Sequence, residues 1–146
     1  MKKKVLFFFY VLVIMIPFNL FAQDWRTNWD AAKVEAKKEN KKLILVFSGS
    51  DWCIPCIKLE KEIWKDPTFN KYAKKNYILF RADFPKRKKN KLANSIQKRN
   101  DMLAIEYNPN GYFPLVVVMD SNENVLGRLG YEKTPPKDYI SLINQF

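Results

Sequence analysis

Apolar residues along this chain gather in short continuous runs separated by charged, amphipathic stretches. "KLILVF" (42–47) and "LVVVMD" (115–120) are the two most apolar of the internal runs; neither alternates, as expected of strands buried on both faces. "YILFRADF" (77–84) reads as a further strand. "VLGRLGY" (125–131), reached through the turn "SNEN", reads as an antiparallel partner of the run before it. "TNWDAAKVEAKKEN" (27–40) reads as a helix: Thr27 and Asp30 have capping-box spacing, with Asp in place of Glu, and Trp25, Trp29, Ala32 and Ala36 fall near one stripe. A second helical pattern starts at Ile54, with Ile57, Leu59, Ile63 and Trp64 set among Lys58, Glu60, Lys61 and Glu62; Trp64 is expected in the core. Asp66-Pro67 punctuates it before "TFNKYAKK". "LANSIQKRNDMLAIEY" (92–107) and "TPPKDYISLINQF" (134–146) supply the last two helices, the latter with prolines where a helix start tolerates them. The order α-β-α-β-α-β-β-α predicts an α/β fold, a central mixed β-sheet of three strands plus a returning one, flanked by helices on both faces.

The first 22 residues do not belong to that pattern. Lys2, Lys3 and Lys4 precede the uncharged apolar run Val5 to Ile16, and Pro17 to Ala22 leads to a cut after Ala22, although Leu20 is larger than the small residue usual at its place. This is the layout of a secretory signal peptide, and the run is short of the roughly 20 apolar residues of a membrane span. The expected organisation is a signal peptide over 1–22 and one domain over 23–146, periplasmic or otherwise exported, with no stable membrane insertion after cleavage. Residues 1–22 carry three lysines and no acid, so their removal lowers the formal charge from +11 to +8. On an exported protein that balance points to anionic surfaces or acidic partners, or simply to a solvated basic surface, rather than to nucleic acid.

Both cysteines of the chain lie in "SGSDWCIPCIKL" (48–59), spaced Cys-x-x-Cys. A structural staple, half of a metal site and a working dithiol are the alternatives. A ring this small removes little unfolded-chain entropy. Zinc takes four ligands, usually Cys and His, and the chain has no histidine and one cysteine pair; Cu(I) could sit on two thiolates, but no third soft ligand is evident nearby. No metal and no cofactor are therefore expected. The pair sits where a buried strand ends and a helix begins, a place where the helix N-terminus favours thiolate. Cys53, at the helix start, is the expected nucleophile. Cys56, one turn along and less exposed, is the expected resolving thiol. Pro55 suits the first helical turn and stiffens the ring between the sulfurs.

"DWCIPC" resembles the Trp-Cys-x-Pro-Cys active site of the thioredoxin superfamily, and "YFPLVVVMD" resembles that family's substrate-facing proline before a central strand. The stretch from Asp51 to Leu79 is similar to exported bacterial thioredoxin-like proteins related to the periplasmic end-domain of thiol-reducing electron relays. The resemblance covers nearly all of residues 23–146. It implies a thioredoxin-like fold and thiol–disulfide exchange with protein thiols and disulfides, more as reductant than oxidant since Ile54-Pro55 brings no histidine. It also implies an upstream electron donor or acceptor protein and a cis Pro114, with the Phe113 backbone offered to a bound peptide. The catalytic, redox-active pair is then Cys53 and Cys56, and the substrate-binding set Trp52, Pro55, Phe113 and Pro114; the protein is expected to act as a monomer. A peptide-binding module of the same fold without redox chemistry is the alternative. If the two most apolar strands are adjacent and antiparallel, Pro114 meets the dithiol at one edge of the sheet. The resemblance has gaps. The buried acid that many members carry before the active site falls on Phe47, and its usual lysine partner on an apolar residue, expected to be Leu79. Without that acid the Cys56 proton must go to water, to substrate or to a nearby carboxylate, for which Asp51 and Glu60 are the candidates unless they are plain surface charges. "PKRKKNKLANSIQKRN" (85–100) is extra, either an element that selects an acidic partner or a solvated insertion.

Overall fold

The structure, a computed structural model, describes residues 24–146; the segment read as a signal peptide lies outside the described residues. Its centre is the pairing of β2 (Lys42–Ser48) with β4 (Leu115–Met119). The two run antiparallel in a register that sets Leu43 opposite Met119 and Phe47 opposite Leu115. β3 (Tyr77–Asp83) lies parallel to β2 on its other side, and β1 (Trp25–Arg26) adds to β3 in parallel. β5 (Val125–Leu129) returns antiparallel to β4. The sheet is therefore mixed, in the order β1-β3-β2-β4-β5. β2 from Leu43 onward and all of β4 are buried, which accounts for their unbroken apolar sequence.

Side-chain alternation along the strands divides the core into two layers. Ile44, Val46, Leu79, Val116 and Val118 point to the face covered by α2 (Ile54–Leu59), α3 (Pro67–Asn76) and α5 (Pro136–Asn144). Leu43, Leu45, Phe47, Phe80, Val117 and Met119 point to the face covered by α1 (Trp29–Glu39) and α4 (Asn94–Tyr107). Helices thus cover both faces, as the patterning predicts. Trp64 lies in the first layer, its ring edge-on to Trp25, Phe69 and Tyr139 at 5.9, 4.8 and 5.6 Å between centroids. No helix among the described residues is long and apolar enough to cross a membrane.

The structure departs from the sequence-based expectations in four places. Trp25 belongs to the edge strand β1, not to a helical stripe, so the sheet has five strands rather than four. Asn28, not Thr27, caps α1: its side chain accepts the Ala31 N–H at 2.9 Å. Arg26, bound to the Asp24 and Glu35 carboxylates, holds the entry strand against that helix. The helix begun at Ile54 does not continue as one α-helix but passes into a π turn over Glu60–Trp64, closed by the Lys65 N–H on the Glu60 carbonyl at 3.0 Å. The wider turn brings Ile63 and Trp64 together onto the sheet. Finally, α4 begins at Asn94, two residues after the apolar pattern starts.

Trp64→Ala should cost about 3–5 kcal/mol in chemical denaturation, the range for deleting a buried large aromatic. Trp64→Phe, which keeps part of the ring packing, should cost clearly less. Equal costs would mean that Trp64 is not packed as described.

Candidate active site

β2 ends at Ser48, the last residue paired with β3, and Gly49 and Ser50 leave the ladder as a loop tied to the end of that neighbour. The Ser48 carbonyl accepts the Phe84 N–H at 2.8 Å, and the Asp83 carboxylate takes both the Ser50 N–H (2.9 Å) and the Ser50 hydroxyl (2.6 Å). The chain then doubles back, the Cys53 N–H donating to the Gly49 carbonyl at 2.9 Å. This sets Cys53 as the N-cap of α2, with extended backbone (φ −88°, ψ 103°) and Pro55 in the first turn. Cys53 and Cys56 are joined, Sγ to Sγ 2.15 Å. The Cys53 sulfur accepts the Cys56 N–H at 3.3 Å, and the Cys56 sulfur accepts the Gly49 N–H at 3.5 Å. In this oxidised form both cysteines are equally covered, 3% exposed each, so the expected difference in exposure is absent. What distinguishes them is position: Cys53 stands at the helix start between the exposed Trp52 and Ile54, while Cys56 is inside the first turn.

Trp52 forms the rim. Its indole lies over Gly49, so closely that a Cβ there would overlap the ring, which is why that position needs glycine. The indole N–H donates to the Phe84 carbonyl at 2.7 Å, and the Phe113 ring meets the indole edge-on at 5.4 Å. Phe84 in turn touches Phe113 (5.5 Å) and stacks toward Phe47 (6.4 Å), so a file of four aromatic rings runs from the core to the dithiol. The Phe113–Pro114 peptide is cis, and Pro114 is buried immediately before β4. Register brings the two segments together: Phe47 pairs with Leu115, so the start of β4 lies beside the end of β2. Pro55 is exposed in the first turn of α2, within the ring that the two cysteines close.

The position of the family's buried acid is occupied by Phe47, fully buried in the layer under α1 and α4. The residue opposite it on β3 is Ala82; Leu79, the expected counterpart, lies three residues earlier, opposite Ile44. Parallel pairing in register decides this, and counting along the sequence cannot. Both remaining carboxylates are engaged by partners of their own. Glu60 is bound to the Arg81 guanidinium, which also lies 4.2 Å over the Trp25 ring. Asp51 accepts the Lys86 N–H at 2.9 Å, the Arg87 N–H at 3.0 Å and the Asn90 side-chain amide at 2.8 Å. The Lys86 backbone donor foremost, with Asn90 and Arg87, holds the Asp51 carboxyl below the usual aspartate range. Among the described residues no group of three or more His, Cys, Asp or Glu is placed to hold a metal ion.

Residues 24–121 match the family model described as thioredoxin-like. The chain belongs to the thioredoxin-like family. Within it, the chain is 30% identical over 119 residues to the disulfide bond reductase DsbH of Chlamydia pneumoniae, covering 82% of this chain and 69% of that one. It is 26% identical over 106 residues to the thioredoxin-related protein DsbJ of the same organism, covering 73% of this chain but only 30% of DsbJ. A solved structure of a DsbH oxidoreductase superposes with a TM-score of 0.76 at 28% identity, over 83% of this chain and 81% of that one. With these relatives and a bonded Cys-x-x-Cys pair at the strand–helix junction, the chain is a thiol–disulfide oxidoreductase.

Phe84, Gly49 and Lys86 are parts of the site that sequence reasoning does not single out. The usable signal was the "DFPK" that ends the second strand, since a residue following a parallel neighbour of β2 must emerge at the same sheet edge as the cysteine loop.

Because its native pKa is lowered, the Asp51 carboxylate holds its loop most firmly above the ordinary aspartate value of about 3.9 and lets go as pH falls through its own lower value. The amide NMR shifts of Lys86 and Arg87 should therefore titrate together with a midpoint below ~3.9. In Asp51→Asn that shared transition should disappear. A midpoint at or above the ordinary value would contradict the hydrogen-bonded geometry.

Proposed function

We propose that this protein is an exported reductase of protein disulfides, acting through Cys53 and Cys56. The observation that carries the reading is the position of Cys53 as the cap of α2, beside the cis Pro114 segment and next to exposed apolar surface on Trp52 and Ile54. In the reduced protein the Cys53 thiolate attacks one sulfur of a substrate disulfide. A Cys53–substrate disulfide forms and the substrate's other sulfur leaves as thiolate. Cys56, deprotonated, then attacks the Cys53 sulfur, releases the second substrate thiol and closes the Cys53–Cys56 bond. Two electrons pass to the substrate, and a dithiol protein upstream must return them. With Phe47 in place of a buried acid, and Asp51 and Glu60 engaged, water or the departing substrate thiolate takes the Cys56 proton.

Trp52, Pro55, Phe113 and Pro114 form the substrate-binding set, with the Phe113 backbone presented to an extended peptide. The reducing direction is supported by the name of the relative, a disulfide bond reductase, and by the dipeptide Ile54-Pro55, which supplies no charge or histidine to stabilise thiolate. Export is supported by the lysine-led apolar pattern of residues 1–22, which leaves residues 23–146 as the working domain.

Two measurements test this. Cys56→Ser should accumulate mixed disulfides with client proteins while Cys53→Ser does not; the reverse pattern would exchange attacker and resolver. The reduction potential should lie near the reducing end of the range for such dithiols, about −270 mV, rather than near about −120 mV. A potential at the oxidising end would make the protein a disulfide donor.

A further inference from the structure

The stretch from Pro85 to Lys91 carries five cations, Lys86, Arg87, Lys88, Lys89 and Lys91, and all five are exposed. Runs of this kind are ordinarily solvated and mobile. Here the run is built into the site. Its anchor is the carboxylate of Asp51, two residues before Cys53, which receives two backbone N–H groups and the Asn90 amide. A 3-10 turn over Lys88–Asn90 shapes the rest. The buried Asn100 of α4, its amide on the Asp83 carbonyl at 2.8 Å, fixes the strand end from which the loop departs. The Lys86 ammonium rests on the Trp52 ring, 3.8 Å from its centroid, so one cation lies a single side chain away from Cys53.

The charge of this rim is offset only in part: its five cations outnumber the neighbouring carboxylates, and of these Asp51 acts on Arg87. Asp51 and Asp83, its nearest carboxylates, point inward into hydrogen bonds with the loop and with Ser50. Arg26, Lys33, Lys41, Lys65 and Arg81 form ion pairs, but among the described residues no ion pair includes a cation of the 86–91 loop. Like charges held on one rigid rim raise the local potential and draw in opposite charge, and such fields change association rates by about 10- to 1,000-fold at low salt.

We infer that the 86–91 loop is a selectivity rim that recruits acidic polypeptide segments, so that the preferred substrates are disulfides flanked by Asp and Glu. The inference rests on the reductase reading above. An extended substrate advances ~3.3 Å per residue, so acidic residues within roughly five positions of the attacked cysteine reach the rim while the sulfur is at Cys53. A peptide fits this place better than an anionic membrane does. The loop's first cation, Lys86, lies on the Trp52 ring next to Cys53, and a lipid surface seated there would cover the bond that must react.

The test compares kcat/KM of the reduced full domain on two peptides with the same intramolecular disulfide, one flanked by glutamates and one by lysines. The uncharged 2,2′-dithiodipyridine serves as reference. The acidic peptide should be reduced about tenfold faster or more at low salt. That preference should shrink toward unity at about 1 M salt, where the screening length falls to ~3 Å. In Lys88→Glu/Lys89→Glu, which leaves the Asp51 contacts and Lys86 in place, the ratio between peptides should fall at least severalfold, each rate being taken relative to the uncharged disulfide. If no disulfide is reduced, the reductase reading fails and this inference with it. If both peptides react equally while dithiodipyridine reacts normally, only the rim proposal is overturned. Equal peptide rates, together with sedimentation on phosphatidylserine vesicles that the double substitution abolishes, would assign the rim to a lipid surface and also overturn it.

Discussion

The pairing of β2 with β4 is the constraint from which the site follows. The two strands meet antiparallel at the middle of the sheet, and their register, Phe47 against Leu115, sets the exit of one beside the entrance of the other. The exit leads to the cysteine loop, and the entrance is preceded by Phe113 and the cis Pro114. A slip of one residue would turn the side chains of a strand to the opposite layer, exchanging the partners of Ile44 and Val46 with those of Leu45 and Phe47. Burial on both faces makes such a slip costly, so the geometry around the dithiol is held by the core.

That core reaches the surface through aromatic rings. Phe47, Phe84, Phe113 and Trp52 touch in sequence, and the indole is fixed by its hydrogen bond to the Phe84 carbonyl and by the bare backbone of Gly49 beneath it. The substitution of Phe47 for an acid is consistent with this arrangement: a carboxylate there would be buried in an apolar layer, opposite Ala82 and Leu115, at a cost of several kcal/mol if charged and unpaired. The chain uses the position for packing instead. Its carboxylates near the site do structural work, Asp51 and Asp83 fastening loops and Glu60 holding Arg81.

Element type and order were legible in the sequence because buried strands and amphipathic helices leave different periodicities. The apolar runs at 42–47 and 115–120, the helix starting at Ile54 and the placement of Cys53 at its beginning all appear in the structure. The errors fall where local pattern is weak or misleading. β1 is two residues long and has no period of its own, so only its pairing with β3 makes it a strand. The π turn has the same composition as an α-helix, and the burial of Ile63 and Trp64 that accompanies it is visible only in the packed core. Asn28 and Thr27 are both able to cap a helix, Asn somewhat the better, and the path of the chain from β1 places Asn28 at the cap.

What the sequence determined by itself is the fold class, the central place of the two most apolar strands, and a dithiol at a strand–helix junction, because each is written in local order and residue type. Which distant groups share that junction is set by the packing of the chain in three dimensions. The Phe84 carbonyl on the indole N–H, Arg81 on Glu60 and the basic loop on Asp51 come from β3 and the segment after it, roughly 20 to 40 residues along the chain from their partners. Those meetings depend on strand register and on the direction in which β3 runs beside β2, and neither leaves a trace in local composition. Hydrogen bonds and packing across the sheet edge give a solvated run of lysines a fixed backbone path beside the cysteine loop.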